Sequence, residues 1–188
     1  MAKGDVLLSD PRALRALAHP TRLAILEQLQ HGGASTATTC GAAVGISPAA
    51  ASYHLRSLAR WGLVEEAGGG TGRERPWQAV GTGFSFESAA AQSPAELAAT
   101  AALGGQLVAN GERWTAEFVR SEPRLNPEWR RASHLANKTL MLTPAEAEEV
   151  VARIEELLEP YGRSSRSNPP EDARAVRMLL RLFPRDLP

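Results

Sequence analysis

The sequence predicts a mostly α-helical protein with a small β component, of the α+β class. A capping residue followed by proline, a common start of a helix, recurs along the chain. These pairs are Asp10-Pro11, Ser47-Pro48, Ser93-Pro94 and Thr143-Pro144. Apolar residues follow each pair at helical spacing, whereas runs of extended pattern are short and few. At 188 residues the chain is long enough to bury a hydrophobic core.

The charge and the cysteine count limit the classes of protein to which this sequence can belong. The 21 basic and 21 acidic residues cancel, and the first 85 residues carry only +2, from eight basic and six acidic residues. Any nucleic-acid surface must therefore be local. The single cysteine, Cys40, excludes an intrachain disulfide. With no apolar run that could cross a membrane and no signal peptide, we expect a soluble, cytoplasmic protein.

The stretch from Ser47 to Val64 predicts an amphipathic helix. Ser47 is a suitable cap, Pro48 suits the first helical position, and Gly62 is a suitable stop. Apolar side chains at Ala51, Leu55 and Leu58 define the buried face.

The opposite face of this helix is small near its start, then aromatic and basic. With the capping serine, we expect it to present Ser47, Ala49, Ser52, Tyr53, Arg56 and Arg60. Such a surface can enter the major groove of DNA, approach base edges and pair with phosphates. A plain solvated amphipathic helix is the alternative.

The flanking sequence favours DNA binding. Residues 37–44 predict a short helix that Gly45 ends, and so tight a connection to the next helix indicates a helix-turn-helix. After Gly62, two extended runs surround a glycine-rich turn at 67–72, which predicts a β-hairpin. A hairpin in this place is the wing of a winged helix, and Arg73 and Arg75 would meet the DNA backbone or minor groove.

Residues 13–80 resemble the ArsR-type winged-helix transcriptional regulators. The similarity lies in ALRALAHPTRLAILEQL (13–29) and SPAAASYHLRSLARWGLVEE (47–66), within about a third of the chain. The resemblance implies that Ser52, Tyr53 and Arg56 read DNA. It also implies that Arg73 and Arg75 make wing contacts, and that the protein is a homodimer.

Two departures from that family set further expectations. Metal-sensing members carry clustered ligands, but Cys40 stands alone, and one thiolate cannot build the site that a soft metal prefers. We therefore expect a buried, inert Cys40, no metal site and no cofactor. The chain shows no catalytic motif, so we expect no catalytic residues and no enzyme. The second departure is the length of the chain beyond the wing.

We divide the chain into a winged helix-turn-helix domain (1–85) and a dimerisation and accessory or effector domain (86–188). A long helix is predicted from Pro94 to about Val119, although glycines weaken it and a break near Asn110 is the competing prediction. Its apolar stripe, assigned to dimerisation, comprises Leu103, Leu107, Trp114 and Phe118. Packing of this stripe on the chain's own domain is the alternative.

The C-terminal part predicts a small β-α-β lobe. Residues 138–142 have strand composition, and an amphipathic helix follows from Thr143. Residues 173–183 suit either a strand or a helix, and we favour a strand that pairs with 138–142. Trp114, Phe118 and Trp129 could line a pocket for an unknown small-molecule effector, or form a plain core.

These features predict a sequence-specific regulator of transcription, of repressor type. Its partners would be double-stranded DNA at an inverted-repeat operator and a second copy of itself, with no membrane contact. The alternative is a winged-helix module that binds protein or RNA and has no operator of its own.

Overall fold

The structure, a computed structural model, describes residues 6–68, 75–81, 83–86, 93–162, 166 and 168–185. It is mostly α-helical with a few short strands, which confirms the predicted class. The helices are α1 (Pro11–Leu17), α2 (Pro20–Gly32), α3 (Ala37–Val44), α4 (Pro48–Ala59), α5 (Pro94–Ser121), α6 (Pro127–Ala132) and α7 (Pro144–Leu158). The strands are β1 (Val6–Leu7), β2 (Val64–Glu66), β3 (Trp77–Ala79) and β4 (Phe84–Ser85).

The predicted helix starts are confirmed by their hydrogen bonds. The side chain of Asp10 accepts from the backbone N–H of Arg12, and that of Ser47 accepts from Ala50. Ser93 and Thr143 each form a reciprocal capping box with the glutamate three residues on. These bonds satisfy donors that a helix start otherwise leaves without a partner.

One hydrophobic core joins α1 to α4, β2 and the first half of α5. Its fully buried side chains include Leu17, Leu23, Ile25, Leu26, Leu29, Leu55, Leu58, Leu63 and Leu103. Helix α5 lies against α1 and contributes Ala99 and Leu103 to this core. Packing therefore continues across the expected domain boundary at residues 85 and 86.

The predicted hairpin is present. Strand β2 pairs antiparallel with β3, with Val64 opposite Ala79 and Glu66 opposite Trp77. Ser35, just before α3, exchanges two backbone hydrogen bonds of 2.8 Å with Trp77 and so ties the hairpin to the helix-turn-helix. A second, parallel pair, β1 with β4, was not predicted, because two-residue strands are too short to show a period.

Helix α5 continues without a break to Ser121, so the competing prediction of a break near Asn110 was wrong. The Nδ2 group of Asn110 donates to Oε1 of Glu27 on α2 at 2.8 Å. The backbone of Gly111 is buried beneath Arg181 and Leu179, and a Cβ there would collide with the Arg181 guanidinium. Long-range contacts therefore support the helix where its sequence is weak.

The predicted β-α-β lobe is incomplete. Helix α7 forms, but residues 138–142 and 173–183 belong to neither a strand nor a helix, so these assignments were wrong. Residues 177–181 lie along α5, where the Arg177 guanidinium sits 3.4 Å from the ring centroid of Trp114, and the Arg174 guanidinium sits 5.6 Å from the ring centroid of Trp129 on α6. The segment is anchored by these arginines and does not pair with 138–142.

None of the helices in the described ranges combines the length and the apolar character needed to cross a bilayer.

Candidate nucleic-acid interface

Helices α3 and α4 meet through a turn that depends on two glycines. Gly45 adopts the left-handed conformation, with φ 73°, and the Ile46 N–H donates to the Gly41 carbonyl at 2.9 Å. A Cβ on Gly41 would lie 2.8 Å from the Ile46 carbonyl oxygen. Only glycine therefore allows this close approach, and the turn fixes the angle between α3 and α4.

The orientation of α4 follows from its buried face. Ala51, Leu55 and Leu58 are completely buried, so the opposite face lies on the surface. On that face Ser47, Ala49, Tyr53, Arg56 and Arg60 are exposed, and Ser52 is half-buried. Tyr53 exposes 61% of its surface, which is unusual for a large aromatic residue in a small domain.

The exposed face of α4 is locally basic. The helix contains no acidic residue. Within the part of the chain that the structure describes, no salt bridge engages Arg56 or Arg60. Both guanidinium groups can therefore approach phosphates or base edges without first leaving an acidic partner from that part of the chain.

The wing is less basic than its arginines suggest. The Arg75 guanidinium forms a 2.8 Å salt bridge with Glu66 across the hairpin, and Gln78 donates to Glu65 at 2.7 Å. The Arg75 side chain is 68% exposed, so it can exchange Glu66 for a phosphate. Arg73, the other predicted wing contact, lies outside the described residues.

A pair of histidines that joins α4 to the start of α2 was not predicted from the sequence. The rings of His19, which caps α2, and His54 of α4 have centroids 5.0 Å apart. The Nδ1 atom of His54 is buried without a hydrogen-bond partner. Burial lowers the pKa of His54, and the nearby His19 and Arg22 lower it further. The residues are 35 positions apart, and no local spacing links them.

Cys40 is completely buried in the core, as expected. Removal from solvent raises the pKa of its thiol, which favours the unreactive, protonated form. Across the described ranges, no group of three or more histidine, cysteine, aspartate or glutamate side chains is arranged to hold a metal ion.

The four positions assigned to dimerisation occupy different surroundings. Leu103 has no exposed surface, which corrects the expectation that it faces a second copy, and Leu107 is half-buried against the same core. Trp114 and Phe118 are half-buried, and Arg177 lies on the Trp114 ring. The first half of the stripe, Leu103 and Leu107, therefore packs on the chain's own domain, where α1 covers it. This was the alternative prediction.

Comparison with known proteins agrees with this geometry. Residues 17–67 match a family described as a helix-turn-helix domain, a span that runs from the end of α1 to just past β2. No curated protein matches the chain. The chain thus contains a helix-turn-helix domain of the kind found in DNA-binding regulators.

Proposed function

We propose that the protein is a sequence-specific regulator of transcription, of the ArsR type, that inserts α4 into the major groove of double-stranded DNA. The observation that carries the proposal is the exposed face of α4. It combines small residues near the helix start with a solvent-facing tyrosine and two arginines that lack a described salt bridge. A face of this shape and charge suits a DNA groove better than it suits a protein core.

Each residue of the face has a distinct proposed role. Ser47, Ala49 and Ser52 are small enough to let the helix start approach the bases closely. Tyr53 and Arg56 reach base edges, and arginine pairs well with guanine through two parallel hydrogen bonds. Arg60, near the end of α4, meets a phosphate.

The wing supplies further backbone contacts in this proposal. Arg75 exchanges its partner Glu66 for a phosphate on binding, and Arg73 lies on the same hairpin. Such contacts position the protein and carry little sequence information. The protein acts in the cytoplasm as a repressor that regulates by binding DNA. This action needs neither a metal ion nor a catalytic reaction.

The proposed regulator acts as a homodimer at an inverted-repeat operator. Residues 1–85 form the DNA-binding part, and residues 86–188 hold the dimer together and receive a signal from an effector. Two copies of α4 related by a two-fold axis read two half-sites of opposite direction.

Selection of bound fragments from random DNA, followed by mobility shift with unlabelled competitors, tests the proposal. We expect a recurrent inverted repeat whose affinity exceeds that of random DNA by at least about 1,000-fold. Arg124→Ala, which removes a positive charge outside α4, is the matched control and should leave this ratio unchanged. Equal affinity for all fragments, or a preference for RNA or protein, would contradict the proposal.

A further inference from the structure

The described chain beyond residue 111 contains no buried residue, although it is rich in large apolar side chains. Between residues 135 and 183, thirteen of these expose between 38% and 93% of their surface. They are Leu135, Leu140, Met141, Leu142, Leu157, Leu158, Tyr161, Val176, Met178, Leu179, Leu180, Leu182 and Phe183. The area that they could remove from water is on the order of 1,000 Å², since burying one such side chain accounts for roughly 60–120 Å².

Residues 174–183, which we name the strap, have two different sides. Arg177, Leu179 and Arg181 contact α5 at alternate positions, as side chains of one side of an extended chain would. There, Arg177 covers Trp114, and Leu179 and Arg181 reach Gly111. The other side presents a row of apolar residues to solvent. This row comprises Val176, Met178, Leu180 and Leu182, which are 71%, 55%, 47% and 41% exposed.

The backbone of the strap has no partner strand. Among the described residues, no backbone–backbone hydrogen bond joins 134–142 or 174–185 to another segment. Residues 138–142 likewise belong to no strand or helix, and their apolar residues Leu140, Met141 and Leu142 are 52%, 93% and 38% exposed. An unpaired apolar edge of this kind is a template for another strand.

Helix α7 is only partly covered by the described chain, and no residue of it is fully buried. In its apolar stripe Ala147, Val150, Val151 and Ile154 are half-buried, whereas Leu157 and Leu158 are exposed. A helix of 15 residues is marginal in water without tertiary packing. The stripe from Ala147 to Leu158 is about 17 Å long, and an extended row from Val176 to Leu182 spans about 20 Å, so the two surfaces are similar in length.

We propose that the chain associates with a second copy of itself through residues 135–183. The outward row of each strap is covered by residues 138–142 and the apolar stripe of α7 from the other copy. The two segments carry opposite net charge, with three arginines and no acid in the strap against five glutamates and one arginine in α7, which favours their approach while the charged side chains lie outside the apolar contact. Both complementary surfaces lie in one chain, so a two-fold axis closes the assembly and uses each surface twice.

The exposed apolar area agrees with a dimer of this kind. A stable interface buries roughly 800 Å² per partner, which is comparable to the area that the thirteen side chains expose. The inference specifies the interface of the proposed homodimer, and its tests need no DNA. Failure of the interface and failure of DNA binding are therefore distinguishable.

Sedimentation of the full chain at about 10 µM tests the interface. The wild type should be a dimer, and Met178→Glu with Leu180→Glu should raise the dissociation constant at least about 100-fold, because two charges would enter an apolar contact. The matched control, Leu97→Glu with Val108→Glu, places the same charges on exposed positions of α5 and should leave the dimer intact. A monomeric wild type, a dimeric strap variant or a monomeric control would each overturn the proposal.

Cysteine cross-linking tests the same contact without disturbing it. Met141→Cys and Met178→Cys chains carrying tags of different size are mixed and oxidised, while the native Cys40 stays buried. The proposal expects a covalent product that contains one chain of each kind. Products that join only identical chains, or no product, would contradict it. This experiment also decides the question if the charged strap variant fails to fold.

Discussion

Cys40 is the residue on which the proposed absence of metal sensing depends. Its side chain is completely enclosed and its thiol pKa is raised by burial. We expect Cys40→Ser to lower the free energy of unfolding by about 1–2 kcal/mol, because a hydroxyl replaces a thiol in an apolar slot. Urea unfolding followed by circular dichroism measures the change.

The same variant tests metal sensing. Zinc, cadmium or arsenite at near-stoichiometric concentration should leave DNA affinity unchanged in both wild type and Cys40→Ser, since one thiol cannot complete a soft-metal site. Fluorescence anisotropy of labelled DNA gives both titrations. A tenfold loss of affinity with metal that disappears in the variant would contradict this account.

His54 should make stability depend on pH. Its pKa in the folded protein lies below the ordinary 6.5, so the unfolded chain takes up a proton first as pH falls. Its contribution is therefore fully present above pH 6.5 and is lost as pH falls through the folded pKa. Burial raises the pKa of Glu27, which acts in the opposite direction, so wild type must be compared with a variant.

The variant is His54→Gln, and the measurement is urea unfolding at pH 7 and pH 5. We expect stability to fall less with acidification in the variant than in the wild type. His134→Gln, at an exposed position, serves as the matched control and should follow the wild type. A variant with the same pH dependence as the wild type would show that His54 is not the responsible group.

Residues with local roles were predictable, and those with distant partners were not. The capping roles of Ser47, Ser93 and Thr143 follow from their immediate neighbours, and each cap is present. The contact of His54 with His19 depends on how α2 packs against α4, so no spacing in the sequence indicates it.

At the scale of elements, the wing makes a testable electrostatic prediction. Arg75→Ala should weaken binding to all DNA sequences and flatten the plot of log K against log salt by about 0.9 for one lost phosphate contact. Glu66→Gln should strengthen binding to all sequences, because it releases Arg75 from its salt bridge. Anisotropy titrations at several salt concentrations measure both variants. Unchanged salt slope in Arg75→Ala would mean that the wing does not touch the backbone.

Two elements also show where a sequence pattern alone does not predict the secondary structure. The alternation in residues 173–183 indicates an extended chain, but a strand also needs a partner, and the arginines instead hold this segment on α5 and α6. Conversely, the glycines of α5 weaken its pattern, yet Asn110 and the packing over Gly111 keep it continuous. In both cases contacts remote in sequence decide the outcome.

At the scale of the whole molecule, a two-fold dimer predicts the form of the operator. The half-sites should lie about 34 Å apart, one turn of DNA, so that both copies of α4 meet the same side of the duplex. Inserting about five base pairs, half a turn, between the half-sites should reduce affinity at least tenfold. Mobility shift on the two duplexes measures the effect. Equal affinity would indicate that each half-site is bound independently.

The two halves of the molecule differed in how far the sequence predicted them. The helix-turn-helix and hairpin were predictable because caps, glycine turns and apolar faces lie close together between Asp10 and Ala79. Helix α7 was also predicted, but the packing around it was not. No residue of this helix is fully buried in the described chain, and its pattern alone does not indicate which surface its apolar stripe packs against.

The central claim, that the exposed face of α4 reads DNA sequence, is tested most directly by one comparison. The affinity of wild type and Arg56→Ala is measured by anisotropy on the selected operator and on random DNA at one salt concentration. The account predicts that Arg56→Ala loses about 1–3 kcal/mol of discrimination between the two duplexes, since a paired base edge is lost. Equal losses on the operator and on random DNA would contradict the claim and leave Arg56 with a phosphate contact at most.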